Sequence, residues 1–100
     1  REDSMLALTF QFGPEPAAVD IRRVREVVPR VSLREVTTAV DWLAGAFVYR
    51  GQVVPVVDLH RYAGGGECPP HLSSRIVLVP FAGGLLGLLA SRVADLREVP

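Results

Sequence analysis

The stretch that decides the fold is FVYRGQVVPVVDL, residues 47–59. Aromatic and β-branched side chains dominate on both sides of Arg50 and Gly51, and such side chains favour the pleated surface of a sheet. Gly51 supplies the positive φ that a tight hairpin turn needs. The stretch therefore predicts two strands, 47–49 and 53–57, joined at Arg50-Gly51.

The second half of this stretch carries two further signals. Pro55 has no N–H to donate, which predicts a sheet edge, a bulge, or a position whose backbone faces away from its neighbour. We therefore expect this strand to avoid the middle of a sheet. Asp58 can cap a helical turn over 59–63, and Gly64 can adopt the left-handed conformation that ends such a turn.

Length and composition restrict the class of protein. The chain has 100 residues, of which 49% are hydrophobic and 22% charged, which predicts a single folded domain over residues 1–100. Eleven basic and eleven acidic side chains leave no net charge, which argues against a nucleic-acid-binding surface. Cys68 is the only cysteine. An internal disulfide is thus excluded, and a reducing, cytoplasmic location is expected.

Turn residues divide the chain into short strands, which favours an all-β fold of small antiparallel barrels. The Gly/Pro-rich segment 64–70 is the strongest linker, and we place an approximate internal division of the chain there. The apolar run 76–90 is too short to cross a membrane and predicts a buried hairpin. Its adjacent leucine pairs cannot all face one core, so one set needs a second surface. Further strands are expected over 5–12 with Leu6, Leu8, Phe10 and Phe12 buried, over 17–21, from 26 or 27 to Pro29, and over 31–36.

One cluster has the side chains of a metal or hydrolytic site. Its members are Asp58, His60, Cys68 and His71. Carboxylate, imidazole and thiolate groups all bind zinc. However, Cys68 and His71 flank two prolines, no second Cys/His pair follows, and the serines of this loop lack a nucleophile-elbow pattern. We predict no catalytic, cofactor-binding or metal-binding residues. A small-molecule- or metal-binding barrel, or a hydrolase, that uses residues 58–71 is the alternative of another class.

Several segments together resemble the CheW-like domain of bacterial chemotaxis. The run Arg50–Leu59 is the most specific of them, and the likeness extends over nearly the whole chain. The other segments are FQFG at 10–13, VDI at 19–21, Val24, EVV at 26–28, Gly45, SRIVLV at 74–79, GLL at 87–89 and VAD at 93–95. The resemblance implies two SH3-like barrels with a groove between them, the second barrel being incomplete in this chain.

The resemblance also implies a function. It is that of a non-enzymatic scaffold coupling chemoreceptors to a CheA-type histidine kinase, with no nucleic acid bound and no direct membrane insertion. One barrel would bind the kinase's own CheW-like regulatory domain. The groove near Val24, Glu26 and Arg50 would receive the helical tip of a methyl-accepting chemoreceptor. A regulatory fragment of a CheA or CheV protein is the alternative within the family. The residues expected to be structural are Gly45, Gly51, Pro55 and Asp58.

Three further expectations concern Arg50, Trp42 and the end of the chain. For Arg50, contact with a partner and anchoring of the local backbone are equally compatible with its position. Trp42 is expected in the core. The chain ends at Pro100, before the closing strands that the resemblance implies. We therefore expect these strands to come from elsewhere, and a homodimer formed by strand exchange is one source.

Overall fold

The computed structural model describes residues 5–12, 15–37, 40–64, 66, 68, 74–93 and 96–99. Within these residues the chain is built almost entirely of strands, which confirms the all-β prediction. The strands are β1 Met5–Phe12, β2 Glu15–Asp20, β3 Glu26–Pro29, β4 Leu43–Tyr49, β5 Gln52–Asp58, β6 Arg75–Phe81, β7 Gly84–Ala90 and β8 Leu96–Val99. A 3-10 turn, Ile21–Arg23, precedes β3, and the α-helical turn α1, Leu59–Tyr62, follows β5.

The strands form two sheets. One has the order β2-β1-β8, and the other has the order β3-β6-β7-β5-β4. Pairing is antiparallel throughout except between β5 and β7, which run parallel. Arg34, in the segment after β3, exchanges two backbone hydrogen bonds with Ala46 of β4. The two edges of the larger sheet are thus brought together, and the sheet curls into an incompletely closed barrel.

The hairpin predicted around Arg50-Gly51 is present, but β5 lies between β4 and β7. The expectation that this strand avoids the middle of a sheet is therefore wrong. Pro55 is accommodated because it pairs with Ala46, whose own N–H and C=O bond to Arg34, and because pairing with β7 begins only at Val56. The missing N–H of Pro55 thus falls outside both ladders.

One other expectation about the chain needs correction, and the division expected at the linker 64–70 stays a prediction. The segment 31–36 is not a strand, since only Arg34 makes a bridge to the sheet. The linker 64–70, of which the structure describes 64, 66 and 68, joins two parts of the same sheet, because β3 pairs with β6 and β5 pairs with β7 across it. The boundary between the two sheets does not lie at this linker.

Apolar side chains cover both faces of the larger sheet. Leu85 and Leu89 of β7 belong to the barrel core, while Leu86 and Leu88 pack on the opposite face against a core shared with the smaller sheet. The second surface required by the leucine pairs is therefore supplied by β1 and β2 of the same chain. The barrel core consists of Val54, Val56, Cys68, Ile76, Leu78, Leu85 and Leu89, and the inter-sheet core of Phe10, Val57, Leu59 and Ala90.

Trp42 and Leu6 are two of the residues that were expected to be buried. Trp42 is partly buried against the inter-sheet core. Its ring meets the ring of Tyr62 edge to face, with centroids 5.5 Å apart. Leu6, in contrast, is 48% exposed, so the predicted apolar face of β1 is buried only in part. Among the described residues, no helix is both long and apolar enough to cross a membrane.

Candidate partner-binding surface

Arg50 is presented by the β4–β5 turn in an uncommon backbone conformation. Its φ is 51° and that of Gly51 is 78°. Two consecutive positive φ angles give the twist that a two-residue hairpin favours. For a residue with a Cβ, this conformation costs on the order of 1 kcal/mol. The turn therefore holds Arg50 at the hairpin tip at some energetic cost, with 77% of its side chain exposed.

Glu26 and Arg50, both predicted to contact a partner, lie together in the structure. An Nη of Arg50 is 3.5 Å from Oε1 of Glu26, a distance typical of a weak, solvent-screened ion pair. The hydroxyl of Tyr49 donates to the same oxygen of Glu26. The Arg50 guanidinium also lies over the Tyr49 ring, 5.2 Å from its centroid, in the range of a cation–π contact. These three residues are called the Glu26–Tyr49–Arg50 cluster below.

The tyrosine in this cluster has a perturbed acidity. Its hydrogen bond to Glu26 raises the pKa of Tyr49, since removal of the phenolic proton would leave two negative oxygens in contact. Desolvation raises this pKa further, while the positive charge of Arg50 opposes the shift. Tyr49 was not identified from the sequence. Only the packing of β3 beside the hairpin makes it a partner of Glu26.

Val24 begins the segment that carries Glu26 to the cluster. It follows the 3-10 turn, and its N–H donates to the carbonyl of Ile21 at 3.1 Å. The next N–H, that of Arg25, donates to Leu78 of β6 at 2.7 Å, so the chain enters the sheet at this point. Val24 is half-buried. Its role in binding stays a prediction.

Exposed apolar side chains lie on the hairpins near the cluster. Val48 and Val53 form a cross-strand pair on the β4–β5 hairpin and are 62% and 68% exposed. Phe81, at the end of the β6–β7 hairpin, is 62% exposed. The two hairpin tips are neighbours, because the side chain of Gln52 lies against Gly84. Exposed apolar groups are typical of a protein-binding surface, and the valine pair lies on the face of the hairpin opposite Tyr49.

Asp58 organises the opposite end of β5. Its carboxylate is 1% exposed and accepts from the backbone N–H groups of His60 at 2.9 Å and Arg61 at 3.3 Å, which caps α1. Its second oxygen accepts from the N–H of Cys68 at 2.9 Å. One side chain therefore ties the start of the helix to the linker. Gly64 ends the helical turn with a φ of 83°.

Only part of the alternative metal or hydrolytic site lies within the described residues. His71 lies outside the described residues, and among those described no three His, Cys, Asp or Glu side chains converge on one point. Nε2 of His60 is 2.8 Å from Oγ of Ser91, which is buried. Burial raises the pKa of the Cys68 thiol, which disfavours the reactive thiolate. Carboxylate oxygens of Asp58 are already bonded to backbone donors.

Gly45 has a steric requirement that the sequence did not reveal. A Cβ at this position would lie 2.5 Å from the carbonyl oxygen of Arg34 and 2.9 Å from Cβ of Leu33. The register of β4 shifts between Leu43 and Gly45, at a β-bulge where the chain after β3 approaches closely. The absence of a side chain thus permits the contact that brings the edges of the barrel together.

Comparison with known proteins agrees with this architecture. Residues 6–100 match the family described as CheW-like domain. The chain is 30% identical over 60 residues to Chemotaxis protein CheW of Treponema pallidum, a match that covers 60% of this chain and 35% of that protein. It is 24% identical over 82 residues to Chemotaxis protein CheV3 of Helicobacter pylori, covering 81% of this chain and 26% of that protein.

A solved structure shows the same fold. The crystal structure of scaffolding protein TtCheW from Thermoanaerobacter tengcongensis superposes with a TM-score of 0.85 at 28% identity. The match covers 96% of this chain and 62% of that chain, so this chain spans less than two thirds of TtCheW and of both relatives above. The predicted CheW-like, SH3-like architecture is confirmed. Sequence match and structural likeness agree over nearly every residue, and the chain belongs to the CheW-like domain family.

Proposed function

We propose that this chain acts as an adaptor that couples a chemoreceptor to a CheA-type histidine kinase in the cytoplasm, without catalysing a reaction. Its family membership supports this role, as does its likeness to a scaffolding protein and to proteins named for chemotaxis. The partners would be the helical tip of a methyl-accepting chemoreceptor and the kinase's own CheW-like regulatory domain. The output would follow from a shift in the kinase's conformational equilibrium when the receptor changes state.

The observation that carries this proposal is the Glu26–Tyr49–Arg50 cluster. Glu26 and Tyr49 restrict the Arg50 side chain before a partner arrives, so less conformational entropy is lost on binding. A guanidinium has five N–H donors in a rigid fork, and an exposed Arg50 can direct donors to a partner's carboxylate or to carbonyls at a helix end. The exposed valines Val48 and Val53 add apolar area on the other face of the same hairpin.

Binding of the chain to two purified fragments tests the proposal: a receptor-tip fragment and the regulatory domain of the kinase. Arg50→Glu places a negative charge beside Glu26. Arg50→Gly removes the guanidinium but relieves the positive-φ strain of the turn. We expect both variants to bind the receptor tip at least about tenfold more weakly, since buried polar anchors dominate such interfaces. Kinase binding should stay within about twofold of wild type, a margin that lies within ±0.5 kcal/mol.

Arg50→Gly separates a binding role from a structural one, because its unfolding free energy should equal or exceed that of wild type. Arg34→Glu is a matched control, since Arg34 is exposed and contacts β4 through its backbone. Wild-type affinity for the receptor tip in both folded Arg50 variants would overturn the assignment of this surface. Failure of the wild-type chain to bind either fragment would overturn the proposed function itself.

A fragment of a CheV protein is the second candidate, because the chain is similar to CheV3 of Helicobacter pylori over most of its length. A CheV protein would carry the same adaptor surface, so the Arg50 experiment applies equally. The sequence of the neighbouring coding region decides between a free adaptor and a domain of a larger protein.

A further inference from the structure

A cavity of about 200 Å³ lies at one end of the barrel, where β5 and β7 end and β4 and β6 begin. This end is opposite to the two hairpin tips. Part of the cavity wall is apolar, since Ile76 and Leu89 belong to the barrel core, and Leu33 and Ala44 pack against that core. This feature is called the barrel-end cavity below.

Three charged side chains of the described residues also line the cavity: Arg30, Asp58 and Arg61. Nη2 of Arg30 donates to the carbonyl of Cys68 at 3.1 Å, and the N–H of Cys68 donates to Oδ2 of Asp58 at 2.9 Å. Nε of Arg61 is 3.7 Å from the same carboxylate oxygen, and its Nη1 donates to the carbonyl of Asp41 at 3.0 Å. Both guanidinium groups are therefore held in place before a ligand enters.

These groups make the cavity suited to an anion. Two of the charged lining residues are cationic and one is anionic, so the described part of the wall has a formal charge of +1. The carboxylate of Asp58 already accepts from three backbone N–H groups, which leaves it little capacity for a cationic ligand. A guanidinium has five N–H donors in a planar fork, so a group anchored at one edge directs donors along its other edges as well.

Charge and size then restrict the ligand further. A planar guanidinium fork pairs well with a carboxylate or a phosphate. A carboxylate carries one negative charge and matches the formal charge of the wall, whereas a phosphate monoester carries about 1.5 to 2. The volume of about 200 Å³ is below the roughly 300–1,000 Å³ of most ligand pockets, so the ligand must be small. The apolar wall favours a ligand with an aliphatic part.

We propose that the barrel-end cavity binds a short-chain aliphatic carboxylic acid as its anion. The carboxylate of the ligand lies at Arg30 and Arg61, and its aliphatic tail packs on Ile76 and Leu89. Because the two arginines are anchored beforehand, little side-chain entropy is lost on binding. This site is independent of the proposed adaptor function, since the cavity lies at the end of the barrel opposite to the Glu26–Tyr49–Arg50 cluster.

Methyl NMR spectroscopy of the full chain, with sodium butyrate as the probe, tests this proposal. We expect the methyl resonances of Ala44, Ile76 and Leu89 to shift and to reach saturation as butyrate is added. Two further probes separate the parts of the ligand, since butanol has the tail without the charge and sodium chloride supplies an anion without the tail. Each should bind at least about tenfold more weakly than butyrate, because charge-assisted hydrogen bonds and apolar burial both contribute.

Substitutions in the cavity wall identify the groups responsible. Arg30→Gln should weaken butyrate binding about tenfold, and Arg30→Lys, which keeps the charge but loses the fork, should weaken it less. Arg34→Gln is the matched control and should bind butyrate like wild type, because Arg34 is exposed and contacts β4 through its backbone. Leu33→Ala enlarges the apolar part of the cavity, so this variant should bind hexanoate more tightly than butyrate.

Thermal unfolding verifies that each variant is folded. Shifts that are spread over the whole surface, or that never saturate, would show adventitious binding and overturn the site. Equal affinity for butyrate and butanol would overturn the role of the arginines, as would wild-type affinity in folded Arg30→Gln. None of these results bears on the adaptor function, which the receptor-tip and kinase fragments test separately.

Discussion

At the scale of single residues, Arg50 shows how a side chain is prepared for contact. The turn places its backbone in a positive-φ conformation, the Tyr49 ring lies beneath its guanidinium, and Glu26 lies at one edge. Each contact is weak alone, because the group is largely exposed and screened by water. Together they restrict the rotamers of a long side chain, which reduces the entropy lost when a partner binds.

The Tyr49–Glu26 hydrogen bond can be detected by the titration of Tyr49. In a Tyr62→Phe background, Tyr49 is the only tyrosine of the chain. We expect its phenol to titrate above the ordinary value of about 10, because loss of the proton breaks a bond to a carboxylate. Phenolate absorbance measured against pH reports this midpoint. Adding Glu26→Gln should lower the midpoint, and an unchanged midpoint would contradict the contact.

At the scale of secondary-structure elements, α1 depends on one buried carboxylate. A helical turn of four residues has no stability by itself, because nucleation costs more than its few hydrogen bonds return. Asp58 satisfies two N–H groups of this turn and one of the linker. The element therefore forms because β5 delivers Asp58 to a place where three donors converge.

Loss of the Asp58 carboxylate should be strongly destabilising. We expect Asp58→Ala to lower the free energy of unfolding by about 3 kcal/mol, from the lost cap and from buried donors left without an acceptor. Asp58→Asn keeps one acceptor oxygen and should cost less. Urea denaturation measures both. Asp41→Ala, at an exposed position in the turn before β4, is the control. Its free energy of unfolding should stay within about 0.5 kcal/mol of wild type.

Closure of the barrel depends on the absence of a side chain at Gly45. Gly45→Ala brings a Cβ to 2.5 Å from a backbone oxygen at a φ of 149°, so we expect a loss of about 3 kcal/mol in unfolding free energy. Gly51→Ala is the matched variant, since Gly51 has a positive φ with no atom within 4 Å of the added group. It should cost about 1 kcal/mol. Equal losses in chemical denaturation would show that the close approach at Gly45 is not rigid.

At the scale of the whole molecule, stability comes from two cores on opposite faces of the five-stranded sheet. β7 contributes to both, since its alternate side chains face the barrel core and the smaller sheet. The two cores are therefore coupled through one strand. The strand-exchanged homodimer stays a prediction, and light scattering at high protein concentration that shows only monomer would contradict it.

Folding should also become less favourable at alkaline pH because of Cys68. The buried thiol binds its proton more tightly in the folded chain than in the unfolded chain. The stability that comes from the protonated thiol is complete below the ordinary thiol pKa of about 8.5. It is lost as pH rises through the pKa of the thiol in the folded chain. Urea denaturation across this range should show a steeper fall for wild type than for Cys68→Ala. Parallel curves would contradict the shift.

Local chemistry allowed much of this protein to be predicted from its sequence. A turn, a helix cap and strand propensity depend on a few adjacent residues, so the Arg50-Gly51 hairpin, the Asp58 cap and the all-β class followed directly. The resemblance also placed Glu26 and Arg50 near one surface. Contacts between distant segments could not be read in this way, because they depend on which strands pair.

Only the tertiary structure placed β5 inside a sheet, beside a parallel neighbour that begins pairing just after Pro55. It also made Tyr49 a partner of Glu26 and covered Leu86 and Leu88 with the smaller sheet. Propensity and alternation specify which side chains a strand offers to each face. Which strands lie next to each other is decided by the free energy gained when both faces of the sheet are buried and all its strands are hydrogen-bonded.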